Sequence, residues 1–275
     1  MKLFLDTANL EEIEKSYASG VTEGITTNPS LLKKAIDELK KKKKKFDMIS
    51  YITEILLVAK GTPVSLEVAS TDAEDMIEEG KELYNKFNPI ANNVVIKIPI
   101  NTSLTGKNKN FEGLKAIKSL AQARIPVNCT LIFTPEQALM AAKSGASYVS
   151  PFAGRIDDAL RDQCGIVHER SDYFPAEGFH HQGKLVNDNG IVSGVDLVAK
   201  CVNIMKTHGL KTQVLAASIR NSRQLREVAL AGAHIATLPF EVLQQALVHS
   251  KTIEGIKQFT DDMPSEYTKI AQGKK

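Results

Sequence analysis

Long apolar runs are what this sequence most plainly lacks. No stretch approaches the roughly 20 consecutive apolar residues that a membrane-spanning helix needs, so no membrane partner is expected. Met1-Lys2-Leu3-Phe4-Leu5 is followed at once by Asp6, too short an apolar start for a secretory leader. An excess of one charge is missing too: 35 basic against 32 acidic residues leave a formal +3. That is too near balance to imply a nucleic-acid partner by itself. Cysteine occurs only three times, at Cys129, Cys164 and Cys201, at unrelated spacings and with no CxxC. An odd, scattered set reads as reduced thiols of a cytoplasmic protein rather than a disulfide framework.

What is present is a steady alternation. Short β-branched runs at 2–6, 22–27, 63–68, 93–98, 126–131, 147–150, 213–217 and 234–237 read as strands. Helical patterns follow them at 9–18, 30–59, 72–86, 111–122, 135–143, 194–207, 221–230 and 239–248. A further helix is expected at about 252–271, where Ile253, Ile256, Phe259 and Met263 recur at helical spacing. Eight strand-then-helix units with apolar strands predict one α/β domain over 1–275, a closed parallel (β/α)8 barrel. A barrel of this kind carries its site at the C-terminal ends of its strands.

Two segments break the rhythm. Lys40 to Lys45 is an unbroken lysine run, read as a solvated face or loop tip, with an anionic partner as the alternative. Residues 162–193 form a long polar connection rich in Gly and His, placed by its position after the sixth strand above the barrel mouth. His168, His180 and His181 within it match no metal-ligand spacing, and a surface loop with a small internal helix is expected there.

Lys97 is the most telling residue. It lies in Val94-Val95-Ile96-Lys97-Ile98-Pro99, a run that otherwise reads as a strand buried on both faces, and no acid stands next to it. A buried amine is costly unless its charge is answered or given up, and a neutral amine can attack a carbonyl to form a Schiff base. The alternative is a lysine whose stem packs while its ammonium reaches the strand end. Other polar residues recur at period two in strands that should be apolar: Asn128 and Thr130, Ser150 with Phe152, and Ser218 with Arg220. Glu67, Asp6 and Asn28 stand at or just after the ends of three more strands. So many polar groups able to face one lumen are hard to explain as packing, because each must be hydrogen-bonded or it destabilises the fold.

These segments resemble a known family. Leu5-Asp6-Thr7-Ala8-Asn9, Gly24-Ile25-Thr26-Thr27-Asn28-Pro29-Ser30, Val95-Ile96-Lys97-Ile98-Pro99, Asn128-Cys129-Thr130-Leu131-Ile132-Phe133, Ser150-Pro151-Phe152-Ala153-Gly154-Arg155-Ile156 and Leu215-Ala216-Ala217-Ser218-Ile219-Arg220 are similar, in order, to the transaldolase motifs. The length resembles the small transaldolase and fructose-6-phosphate aldolase branch. The resemblance implies a class I, Schiff-base enzyme of the pentose phosphate pathway that needs no metal or other cofactor. It implies that Lys97 attacks the ketose carbonyl, that Asp6 takes the C4 hydroxyl proton, and that Glu67 and Thr130 hold a water and relay protons. Asn28, Asn128 and Ser150 would bind the dihydroxyacetone hydroxyls, and Arg155, Ser218 and Arg220 the substrate phosphate. A structural reading of Asp6 and Arg155 is an ion pair joining strand ends.

Within the family, the aldolase branch differs by carrying a glutamine and a tyrosine where this chain has Glu67 and Phe152. The resemblance therefore implies a transaldolase acting on sugar phosphates, with fructose-6-phosphate aldolase as the alternative. It also implies a homo-oligomer of five or ten subunits in which the terminal helix packs on a neighbour. The connections at 101–110 and 162–193 are longer than the small branch leads one to expect. A sugar-phosphate binder without turnover and a polyanion binder using Lys40 to Lys45 are the readings of other classes. The set of Lys97, Asp6, Glu67 and Thr130 argues against the first, because binding alone needs no buried amine beside a proton relay.

Overall fold

The structure, a computed structural model, describes residues 1–42, 47–103 and 110–271. Lys43 to Lys45 of the lysine run, and residues 104–109 of the connection after the Lys97 strand, lie outside the described residues. The chain opens with β1 (Lys2–Asp6), α1 (Leu10–Ala18), β2 (Ile25–Thr26), α2 (Pro29–Lys41), α3 (Met48–Val58) and β3 (Val64–Glu67). It continues through α4 (Ala73–Ala91), β4 (Val94–Pro99), α5 (Glu112–Gln122), β5 (Val127–Ile132), α6 (Pro135–Lys143), β6 (Tyr148–Pro151) and α7 (Ala153–Gln163). A short ribbon of β7 (His180–His181) and β8 (Lys184–Leu185) precedes α8 (Gly194–Thr207), β9 (Gln213–Ala216), α9 (Ser222–Leu230) and β10 (Ile235–Leu238). Last come α10 (Phe240–Gln245), α11 (Ser250–Asp261) and α12 (Ser265–Ala271).

Eight strands close into a barrel in the order β1-β10-β9-β6-β5-β4-β3-β2, every neighbouring pair parallel. This is the expected (β/α)8 barrel. Helix starts are encoded just past the strand ends. Asn9, Asn28, Ser193 and Asn221 accept backbone N–H bonds in the first turns of α1, α2, α8 and α9. Thr134 and Gln137 form a reciprocal capping box on α6. Such caps turn the chain sharply at the barrel mouth, so the strand-end residues stay close to the lumen.

Two apolar layers hold the barrel. Between strands and helices, Ile55, Ile96, Ile98, Ile117, Leu120, Ile132 and Leu160 are fully buried, each worth about 1.5–3 kcal/mol relative to exposure. Inside the barrel, Phe4, Leu215, Ala217 and Ile235 form a separate cluster against which Tyr148 and Phe152 pack. Phe4 and Tyr148 meet edge to face at 6.5 Å. Gly24 is required beside this plug, since a Cβ there would stand 2.6 Å from the Phe4 ring.

Several expectations need correction. The pattern at 30–59 is two helices, because Asp47 caps a new start at α3 by accepting from Ser50. A helix directly follows β6, α7, where none is expected from the pattern. The 162–193 connection holds the β7–β8 ribbon instead of an internal helix, with Gly183 taking a positive φ between its strands. The terminal helix is two helices, α11 and α12, parted at Pro264, which has no N–H to continue the ladder. The expectation of unpaired thiols holds: Cys129, Cys164 and Cys201 form no disulfide.

Candidate active site

Parallel register lines Glu67 of β3, Lys97 of β4 and Asn128 of β5 side by side, so their side chains point to the same face. The Lys97 side chain is 6% exposed and its Nζ lies 2.9 Å from Glu67 Oε2. It also donates to the Thr27 carbonyl at 3.1 Å. The acid that is missing beside Lys97 in sequence is therefore supplied across the sheet. One strand further on, Ser150 donates to Asn128 Oδ1 at 2.7 Å, and Asn128 Nδ2 donates to Ser65 Oγ at 3.2 Å. This chain of bonds fixes which way the Asn128 amide faces.

Asp6 closes β1 on the other side of the lumen. It accepts from Thr26 Oγ1 at 2.7 Å, and Thr26 is bonded to Thr237 Oγ1 at 2.6 Å. Burial pushes the Asp6 carboxyl above its ordinary range, with Lys97, the Thr26 hydroxyl and Arg220 pulling against that shift. A raised carboxyl is a stronger base and is within electrostatic reach of both Lys97 and Arg220.

Thr130 owes its position to an irregular strand. Between Cys129 and Ile132 the pairing of β5 with β6 slips, and Leu131 takes φ +59. A bulge of this kind re-aims the side chains beside it. Thr130 Oγ1 is buried and has no hydrogen-bond partner among the described residues. A hydroxyl so placed is suited to a water or a substrate oxygen.

The remaining residues gather where α7 meets the turn after β9. Ser218 sits at φ +61, and the carbonyls of Ala217 and Ser218 accept from Ala153 and Gly154 at 3.0 and 3.1 Å. Gly154 permits this contact, since a Cβ there would run into the Ser218 carbonyl and stand 2.5 Å from Arg220 Nε. The Arg220 guanidinium donates to Asp158 Oδ2 at 2.8 Å. Its burial lowers its pKa, which Asp158 opposes and Arg170 and Arg155 reinforce. Arg155 is exposed and lies with its guanidinium 5.1 Å from the Phe152 ring, which is 5.8 Å from that of Phe133.

Thus Glu67, Lys97, Asn128 and Ser150 stand together, with Asp6 near them. Asn28 is less free: its Oδ1 caps α2 through the Leu31 N–H at 3.0 Å, which leaves its Nδ2 group for a ligand. The ion pair considered for Asp6 and Arg155 does not form, since Asp6 takes Thr26 and Arg155 the Phe152 face. Thr26, Ser65, Thr237 and the Thr27 carbonyl belong to the site although the sequence pattern did not select them. Thr26 and Ser65 stand two residues before Asn28 and Glu67, so the same alternation points to them.

Comparison with known proteins places the whole chain in a family. Residues 3–273 match the family model described as transaldolase/fructose-6-phosphate aldolase. The chain is similar to a probable transaldolase of Alkaliphilus metalliredigens, 39% identical over 262 residues that cover 95% of this chain and 97% of the relative. A probable transaldolase of Geobacillus thermodenitrificans is 40% identical over 265 residues, covering 95% and 98%. One from Thermoplasma volcanium is 38% identical over 262 residues, covering 95% of each.

Proposed function

Because this chain belongs to the transaldolase/fructose-6-phosphate aldolase family, we propose that it is a transaldolase that carries a dihydroxyacetone unit on Lys97. The donor is sedoheptulose 7-phosphate or fructose 6-phosphate and the acceptor an aldose phosphate. The observation that carries this reading is the buried Lys97 amine held 2.9 Å from Glu67 in the lumen. Lys97 gives a proton to Glu67 and attacks the C2 carbonyl. Glu67 and the Thr130 hydroxyl, through a water between them, move protons while the carbinolamine loses water to an iminium. Asp6 then takes the C4 hydroxyl proton, the C3–C4 bond breaks, and its electron pair is drawn into the iminium. Asn128, Ser150 and the Asn28 amino group suit the dihydroxyacetone hydroxyls. Ser218, Arg220 and Arg155 suit the phosphate, for which a guanidinium fork is a good match. The protein works in the cytoplasm, and α11 and α12 seat on neighbouring copies in a closed homo-oligomer of five or ten subunits.

Borohydride added with fructose 6-phosphate should trap a three-carbon adduct on Lys97 by peptide mass mapping, and Lys97→Met should abolish both turnover and trapping. An adduct on another lysine would overturn the assignment.

Phe152 favours transfer over release, which is the aldolase alternative. A phenyl ring gives no hydroxyl to activate a water against the intermediate. Fructose 6-phosphate alone should therefore yield free dihydroxyacetone slowly, and erythrose 4-phosphate should speed its consumption strongly. Phe152→Tyr should raise dihydroxyacetone release by one or two powers of ten at most, since a fully placed proton donor is worth about 10²–10⁴ and this one is grafted. Release as fast without acceptor as transfer with it would favour the aldolase.

A further inference from the structure

Asp158 of α7 is shared between two partners. Its Oδ2 accepts from Arg220 at 2.8 Å, while its Oδ1 is buried and has no hydrogen bond among the described residues. The group facing Oδ1 is His168 Nε2 at 3.4 Å, an ion-pair separation without hydrogen-bond alignment. The other ring nitrogen, Nδ1, lies 3.2 Å from the Ile166 carbonyl. Both ring nitrogens thus face oxygen acceptors. The His168, Asp158 and Arg220 side chains are 15%, 24% and 11% exposed, so solvent screens the row only in part.

His168 is held there by the connection that carries it. Arg161 donates to the carbonyls of Asp172 and Tyr173 at 3.1 and 2.9 Å, and Asn221 to that of Ser171 at 3.1 Å. The Tyr173 hydroxyl donates to Glu227 at 3.0 Å, and the Arg223 guanidinium lies 3.4 Å from the Tyr173 ring centroid. Residues 171–173 are therefore tied to α7, to α9 and to the turn that bears Arg220, and Glu169 beside His168 is bonded to Asp172.

We propose that His168 is a positioning residue for phosphate recognition: it fixes Asp158, and Asp158 fixes the Arg220 guanidinium. This rests on the reading of Arg220 as a phosphate grip. Arginine loses much rotamer freedom when it grips a ligand, and a guanidinium already oriented loses less on binding. On that reading the row acts through the phosphate, so its effect falls on substrates that carry one.

The test compares fructose 6-phosphate with unphosphorylated fructose as donors to the same acceptor. His168→Ala should raise KM for fructose 6-phosphate about three- to tenfold with kcat changed less than twofold, and the preference for the phosphorylated donor should shrink by the same factor. The inhibition constant of inorganic phosphate should rise in parallel. His168→Gln, which keeps a donor at the reach of Nε2, should recover most of the loss, whereas the shorter His168→Asn should behave like the alanine variant, so the pair carries the test if the alanine variant folds poorly. An equal loss on both donors, or a fall in kcat alone, would overturn the positioning role and leave the phosphate grip standing. A wild-type protein without preference for the phosphorylated donor would overturn both.

Discussion

Lys97 is 5% exposed, a depth at which an ammonium costs several kcal/mol unless its charge is answered. Glu67 answers it, so the two charges depend on each other. Glu67→Gln leaves the cation without its counter-charge and removes the nearest proton acceptor, and both effects slow adduct formation. In the proposed sequence Asp6 acts later and gives a separable result. Asp6→Asn should still yield the borohydride-trapped adduct on Lys97, now carrying the whole donor sugar, while turnover falls about 10²–10⁴-fold. Because burial raises the Asp6 carboxyl, activity should decline with falling pH before the ordinary aspartate range is reached. That acid limb should vanish from the residual activity of the asparagine variant. Loss of the adduct in Asp6→Asn would place Asp6 before Schiff-base formation.

At the scale of elements, strands were the most legible feature, with β4 at Val94–Pro99 against an expected 93–98. Apolar β-branched runs buried on both sides leave little room for another reading. Helix α7 was illegible for a physical reason. Its buried side includes Asp157 and Arg161 beside Ile156 and Leu160, so its apolar stripe is broken by charges. The candidate site was legible wherever a polar residue interrupts an apolar strand, as at Lys97, Asn128 and Ser150. The bulge at Leu131 and the left-handed Ser218 were not, since neither residue type signals positive φ. Nor was the link from His168 to Asp158, which tertiary structure alone creates.

Asp157 yields a test at this scale. It accepts from the Gly194 N–H and from Gln224 Nε2, both at 2.7 Å, joining α7 to the starts of α8 and α9. Burial pushes its carboxyl up to about 7. A carboxyl that holds its proton more tightly when folded contributes stability below the unfolded value of about 3.9 and loses it as pH rises through the folded value. The loss between pH 4 and 7 is on the order of 3–4 kcal/mol. Asp157→Asn should flatten that slope in denaturant titrations across the window, at the cost of about 1 kcal/mol for the bond to Gln224. An unchanged slope would mean that Asp157 stays ionised in the fold.

At the scale of the whole molecule, the C-terminal helices present an exposed apolar surface among the described residues. No residue of α11 is buried, and Leu247, Val248, Ile253, Ile256 and Phe259 are each more than 60% exposed. A surface of this kind marks an interface, and the proposed occupant is a second copy of the chain. Removing residues after 251 should convert the assembly to monomers by light scattering, with the barrel still folded by circular dichroism. A full-length protein that is monomeric at micromolar concentration would refute the assembly.

Phe4, Leu215, Ala217 and Ile235 fill part of the lumen, and barrels of this kind take their ligands at the strand C-terminal mouth, so the proposed way to Lys97 and back is that one mouth. Under the proposed transfer, two aldoses use one doorway in turn, the first departing before the second arrives. The proposed three-carbon unit on Lys97 then has to last through an interval in which the doorway stands open to water. An aldose held too firmly at the mouth blocks its own successor, so the proposed transfer is fastest where visitors are gripped loosely and the carried unit well.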